Sequence, residues 1–261
     1  MPVYLSETVP KEVRGALVAS YQLFVTLGLL TSYCINLGTN TLGNTSAQWR
    51  APIGIGFTWG IVLGVGMFLL PESPRWLLAH GHPDKCAAAI RFINKTEKTQ
   101  DEDRFQREYD EMTMSVYESE KAGKAAWVDA FNPKGKALYR TILGFLLQVG
   151  QQLTGANYFF YFGATIFSSV GIENSFLTQI ILGIVNVVMT FPGLWFIERF
   201  GRRRPLIYGG IWQMAWLLVF STVGSQLDPT DKKIGSVMIL SACMFIASFA
   251  STWGPGVWVA G

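Results

Sequence analysis

The chain has 261 residues, half of them hydrophobic, with 14% aromatic and 15% charged, and a net charge of +3. A soluble domain usually carries about 25% charged residues, so this composition argues against one. The charges are also clustered: residues 71–140 hold 12 of the 21 Lys and Arg and 12 of the 18 Asp and Glu.

Outside that stretch the chain reads as charge-free windows at 15–36, 51–70, 141–172, 174–197, 205–227 and 234–261. A membrane-spanning helix needs about 20 apolar residues at 1.5 Å rise, and each window is long enough. None shows the continuous polar face of a soluble helix. The expected fold is therefore all-α and integral to a membrane, with six spans. The expected divisions are 1–70 (two spans), 71–140 (a helical linker) and 141–261 (four spans).

In chain order, Lys11 and Arg14 precede the first span, and residues 37–50 carry only Arg50. Asn44-Thr45-Ser46 is an N-glycosylation sequon in that short connection. The second span contains "GIGFTWGIVLGVG" (54–66), whose small residues suit close helix packing rather than phosphate binding. In the charged stretch, Pro74 fits a first helical turn, Gly81 a stop, and Pro83 the start of a second helix. Asp101 suits the cap of a third helix, on which Phe105, Tyr109, Met112 and Val116 share one face. That stripe is expected to pack on either the membrane helices or the other short helices. His80 and His82 read as surface residues of the turn, not as metal ligands.

Lys and Arg in short loops favour the cytoplasmic side. "ERFGRRR" (198–204), the 71–140 stretch and the region before the first span all fall on one face by alternation. That face is expected to be cytoplasmic. Cys34, Cys86 and Cys243 are far apart and fit no disulfide or metal pattern. No phosphate loop, HExxH or nucleophile elbow is present, so neither an enzyme nor a cofactor is expected.

"QQLTGANYFFYF" (151–162) places three amides inside a span, where polar groups are costly. On an ideal helix Gln148, Gln152, Gly155 and Phe159 share a face, Gln151 lies about 60° aside, and Asn157 about 180° away. One straight helix cannot easily aim all of them at one ligand. A break at Gly155 would, and broken helices line the midplane sites of transporters. Amides both donate and accept without charge, which suits a neutral polyhydroxyl ligand. The same side chains equally suit bonds between helices, and residue chemistry alone leaves both readings open.

"PVYLSETVPKEVRGAL" (2–17), "PESPRW" (71–76), "QQLTGANYFFYF", "ERFGRRRP" (198–205) and "WGPGVW" (253–258) together resemble the sugar porter family of the major facilitator superfamily, and the wording is similar to fungal hexose transporters. The resemblance implies a carrier of twelve spans, of which these look like the fifth to tenth, so the chain looks like a fragment that is inactive alone. It implies hexose transport by alternating access in the plasma membrane. The alternatives are a sugar sensor, or a carrier of another polyol or a quinate-like acid. The implied partners are a sugar, the lipid bilayer, and protons if the carrier is a symporter, with no nucleic acid. Gln22, Gln148, Gln151, Gln152, Asn157, Asn186 and Trp258 would line the sugar pocket, with Tyr161 near its outer gate. Phe162 stands where the family often has a second tyrosine. Glu7, Arg14, Glu72, Arg75, Glu198, Arg199, Arg202 and Arg203 would form a gating ion-pair network; their plainer role is topology control by positive charge.

Overall fold

The computed structural model describes residues 4, 7–8, 14–43, 45–94, 102–121, 137–169, 175–226 and 232–260. Asn44, Asp101 and Asp228 lie outside the described residues, as do the side chains of Arg14, Glu198 and Trp258. The helices are α1 (Arg14–Asn40), α2 (Ala47–Leu69), α3 (Pro74–Ala79), α4 (Pro83–Asn94), α5 (Glu102–Lys121), α6 (Ala137–Leu153), α7 (Ala156–Ser169), α8 (Ser175–Phe200), α9 (Arg203–Gln226), α10 (Lys232–Ser251) and α11 (Trp253–Ala260). Among the described residues, four segments are long and apolar enough to cross a membrane: Ala47–Leu69, Ser175–Phe196, Arg203–Gln226 and Lys233–Val257. The other two windows differ for physical reasons. α1 has the length, 27 residues, but its apolar character is diluted by Ser20, Gln22, Thr26, Thr31, Ser32 and Asn36. The 141–172 window is divided between α6 and α7.

The chain divides into two compact units, Met1–Val18 with Phe57–Ile142, and Ala19–Gly56 with Leu143–Gly261. The first contains the short helices. Ser73 caps α3 by accepting from the Trp76 N–H, and Pro74 occupies the first turn, where its missing N–H costs nothing. Gly81 has φ +75°, which ends the turn, and Pro83 opens α4. Leu77, Cys86, Ala89, Ile90 and Phe105 are buried together, with Tyr109 and Met112 packed on them. The α5 stripe thus packs on the short helices, and Val116 is buried as well. Burial pushes the Cys86 thiol pKa up. Arg91 pairs with Glu102 at 3.1 Å and lies over the Phe105 ring. Trp76 stacks on His80, whose ring nitrogen sits 2.9 Å from the Trp76 carbonyl. His80 and His82 are exposed, as expected of surface residues, and no metal-binding cluster exists among the described residues.

The second unit is built around phenylalanines. Phe159, Phe167, Phe220, Phe245 and Phe249 are buried with Leu182, Met238 and Ile246. Phe159 meets Phe220 edge-on at 5.0 Å and Phe245 at 5.2 Å, the tilted geometry that ring quadrupoles prefer. In lipid there is little hydrophobic gain from helix association, so close approach at small residues and buried hydrogen bonds hold helices together. Ser248 donates to the Gly209 carbonyl at 3.0 Å, and the Trp253 indole donates to the Leu206 carbonyl at 2.9 Å. At Gly193 a Cβ would fall 2.6 Å from the Ser251 Cα, so α8 and α10 touch backbone to backbone. The 234–261 window, which reads as one span, breaks at Thr252. Pro255 has no N–H to give the Ser251 carbonyl, so the i→i−4 ladder cannot run through this point.

Candidate functional site

The window containing Gln151, Gln152 and Asn157 is interrupted. α6 ends at Leu153, α7 begins at Ala156, and Gly155 between them has φ +83°. Only glycine adopts that conformation without a Cβ penalty. The break expected from the amide register is therefore present, at the expected residue. Thr154 finishes α6 by donating its hydroxyl to the Gln151 carbonyl at 2.7 Å, and its oxygen accepts from the Ala156 N–H.

The break brings two predicted residues together. Asn157 Nδ2 donates to Gln152 Oε1 across it, and both side chains are exposed. Their remaining donors and acceptors form a neutral amide pair at a charge-free level of the chain. Gln151 points elsewhere. It is buried, and its Nε2 donates to the carbonyls of Trp253 at 3.0 Å and Gly254 at 3.4 Å. Gln22 on α1 is also buried and converges on the same turn: a Cβ on Gly254 would lie 3.1 Å from its Nε2. Gln22 and Gln151 therefore both approach Gly254. A buried amide without partners costs about 1–3 kcal/mol, so the carbonyls at the α10–α11 break offset the cost of placing Gln151 there.

Gln148 is half-buried one turn before Gln152. Asn186 stands apart on α8 at 1% exposure, and its Oδ1 has no partner among the described residues. Tyr161 is exposed on α7. It borders a recess of about 210 Å³ that Ser32, Tyr33, Asn36, Phe160 and Gln179 also line. Tyr33, Gln179 and Gln213 are not among the residues that the motifs single out. Gln213 is buried on α9 with neither amide atom partnered among the described residues. A glutamine within a charge-free window was the available signal for two of these, since intramembrane amides are costly wherever they occur.

Two acids of the expected charge set have described partners. Glu7 accepts from the Ser73 hydroxyl at 2.7 Å, and Glu72 accepts from the Ser73 N–H at 3.1 Å. Both acids thus reach the residue that caps α3. Arg75, Arg199, Arg202 and Arg203 are exposed, and Arg199 lies 5.2 Å from the centre of the Trp195 ring. Among the described residues no ion pair is seen within this set; Arg91 and Glu102, outside it, do pair.

Apolar helices long enough to cross a membrane, beside a broken one carrying amides, mark an integral membrane protein. Residues 1–260 match the family described as sugar (and other) transporter, and the chain belongs to that family. It is 43% identical over 261 residues to the low-affinity glucose transporter HXT4 of Saccharomyces cerevisiae, covering 97% of this chain and 45% of that protein. It is 43% identical over 265 residues to the high-affinity glucose transporter ght2 of Schizosaccharomyces pombe, covering 99% and 49%. The chain thus spans about half the length of the curated relatives it matches. Among solved structures, the partially occluded, inward-open xylose transporter XylE from E. coli matches with a TM-score of 0.78 at 24% identity, over 99% of this chain and 54% of XylE. That likeness establishes a major facilitator fold.

Proposed function

We propose that this chain forms about half of a hexose carrier of the plasma membrane, contributing its fifth to tenth spans, with residues 71–140 as a linker on the cytoplasmic side. The observation that carries the reading is the break at Gly155, flanked by Gln152 and Asn157. Sugar hydroxyls each donate and accept, and paired amides can exchange their mutual bond for bonds to such hydroxyls at little net cost. They do so without an ion in the membrane. The unpartnered Asn186 oxygen supports the same reading, being a buried acceptor with bonding capacity to spare. The relatives named as glucose transporters supply the substrate class. The excess of arginine in 198–204 supports the orientation.

The test is uptake of radiolabelled glucose in a yeast that lacks its hexose carriers. The complete carrier containing this sequence is expected to restore saturable uptake, whereas residues 1–261 alone stay at the empty-vector level. A complete carrier that reaches the surface but moves no hexose would overturn the proposal.

A further inference from the structure

One turn of α7, just past the Gly155 break, is bonded by side chains from two other helices. Tyr33 on α1 is buried, and its hydroxyl donates to the Phe160 carbonyl at 2.8 Å. Gln179 on α8 is buried too, and its amide lies against the same turn. The amide atom on that side faces two backbone N–H groups, which assigns it as the oxygen. It accepts from Ala164 at 2.8 Å and from Gly163 at 3.2 Å. Gly163 makes the approach possible, because a Cβ there would fall 2.6 Å from the amide. α1 and α8 are themselves pressed together nearby, where a Cβ on Gly183 would lie 3.0 Å from both Leu30 and Tyr33.

Helix interiors ordinarily satisfy their own backbone groups. Side chains that share those groups are one cause of helix bending, and away from water such bonds are stronger than at a surface. The donor from α1 and the acceptor from α8 grip neighbouring residues of α7. That segment is joined to α6 through a glycine in a left-handed conformation, so it needs an external hold to keep one angle. Tyr161 sits inside the gripped turn, and Asn157 one turn before it.

We propose that Gln179 and Tyr33 are positioning residues, a polar clamp that sets the angle of α7 about the Gly155 break and thereby the stance of Asn157 and Tyr161. The clamp rests on the transport reading only where uptake is the readout. A readout free of transport is the rate at which a thiol reagent labels Phe162→Cys, an exposed position on α7, in a complete carrier without other reactive cysteines. Gln179→Ala and Tyr33→Phe are each expected to change that rate by about two- to twelvefold, the worth of one hydrogen bond. Uptake KM should rise by a similar factor at unchanged surface amount. Gly163→Ala should displace the amide and give the same shift, and combining it with Gln179→Ala should add nothing, because both remove one contact. If Gln179→Ala does not reach the surface, Tyr33→Phe decides, since it deletes one oxygen and little packing. Labelling rates unchanged in Tyr33→Phe would overturn the clamp. A changed labelling rate with unchanged KM would uphold the clamp and remove Asn157 and Tyr161 from sugar binding.

Discussion

The short-helix cluster of α3–α5 and the membrane-helix core solve opposite problems. In the cluster no described charged side chain is buried, and five buried apolar or small residues, Leu77, Cys86, Ala89, Ile90 and Phe105, supply the cohesion. In the membrane core the apolar residues face outward as well as inward. Phe57, Phe145 and Tyr208 are exposed, while Gln22, Gln151, Asn186 and Gln213 are buried. In water an exposed amide is nearly free of cost and an apolar contact is worth much. In lipid the reverse holds, so the core spends its few amides inside. The same residue type therefore means different things in the two regions.

That contrast can be broken at several points. Leu77→Ala should have the largest effect, because its side chain is buried in the short-helix cluster. About 2–5 kcal/mol of local stability should be lost. Faster hydrogen exchange confined to residues 74–94 is the expected result. Gly193→Ala should cost about 1–3 kcal/mol or more, since the new methyl meets the Ser251 backbone, which no rotamer change relieves. A lowered melting temperature in detergent measures it. Gln213→Met should act in the opposite direction. Removing a buried amide with no protein partner among the described residues should raise stability by about 1–3 kcal/mol, read in the same assay. Arg91→Ala should matter least, because its ion pair with Glu102 is more than half exposed. Less than about 1 kcal/mol is expected, shrinking further at high salt.

The features legible in the sequence were those set by backbone chemistry. Pro74, Gly81 and Pro83 punctuate the short helices because proline fixes φ and glycine alone freely takes the left-handed φ that ends a helix. The Gly155 break was legible because three amides could not share one straight face. The second break, at Thr252, was equally available from Pro255. It was passed over because hydropathy runs unbroken through 234–261, and a hydropathy window does not register hydrogen-bond geometry. The partnering of individual amides was not legible. Gln151 and Gln152 are adjacent in sequence, yet one bonds to the α11 backbone and the other to Asn157. Which partner each takes depends on contacts about a hundred residues away for Gln151, and on the local turn for Gln152. Tyr33 and Gln179 were missed for the same reason, since their significance lies in the α7 backbone atoms they reach.

The amides at the Gly155 break are proposed to hold sugar and not merely to join helices. The most direct test is Asn157→Ala in the complete carrier, with glucose affinity and surface amount measured on the same cells. Among the described residues the side chain bonds only to Gln152, five residues away across the break, so its loss should leave insertion and surface amount unchanged. Loss of one sugar hydrogen bond, worth about 0.5–1.5 kcal/mol, should weaken glucose binding by about two- to twelvefold. Unchanged affinity with a reduced surface amount would contradict the account.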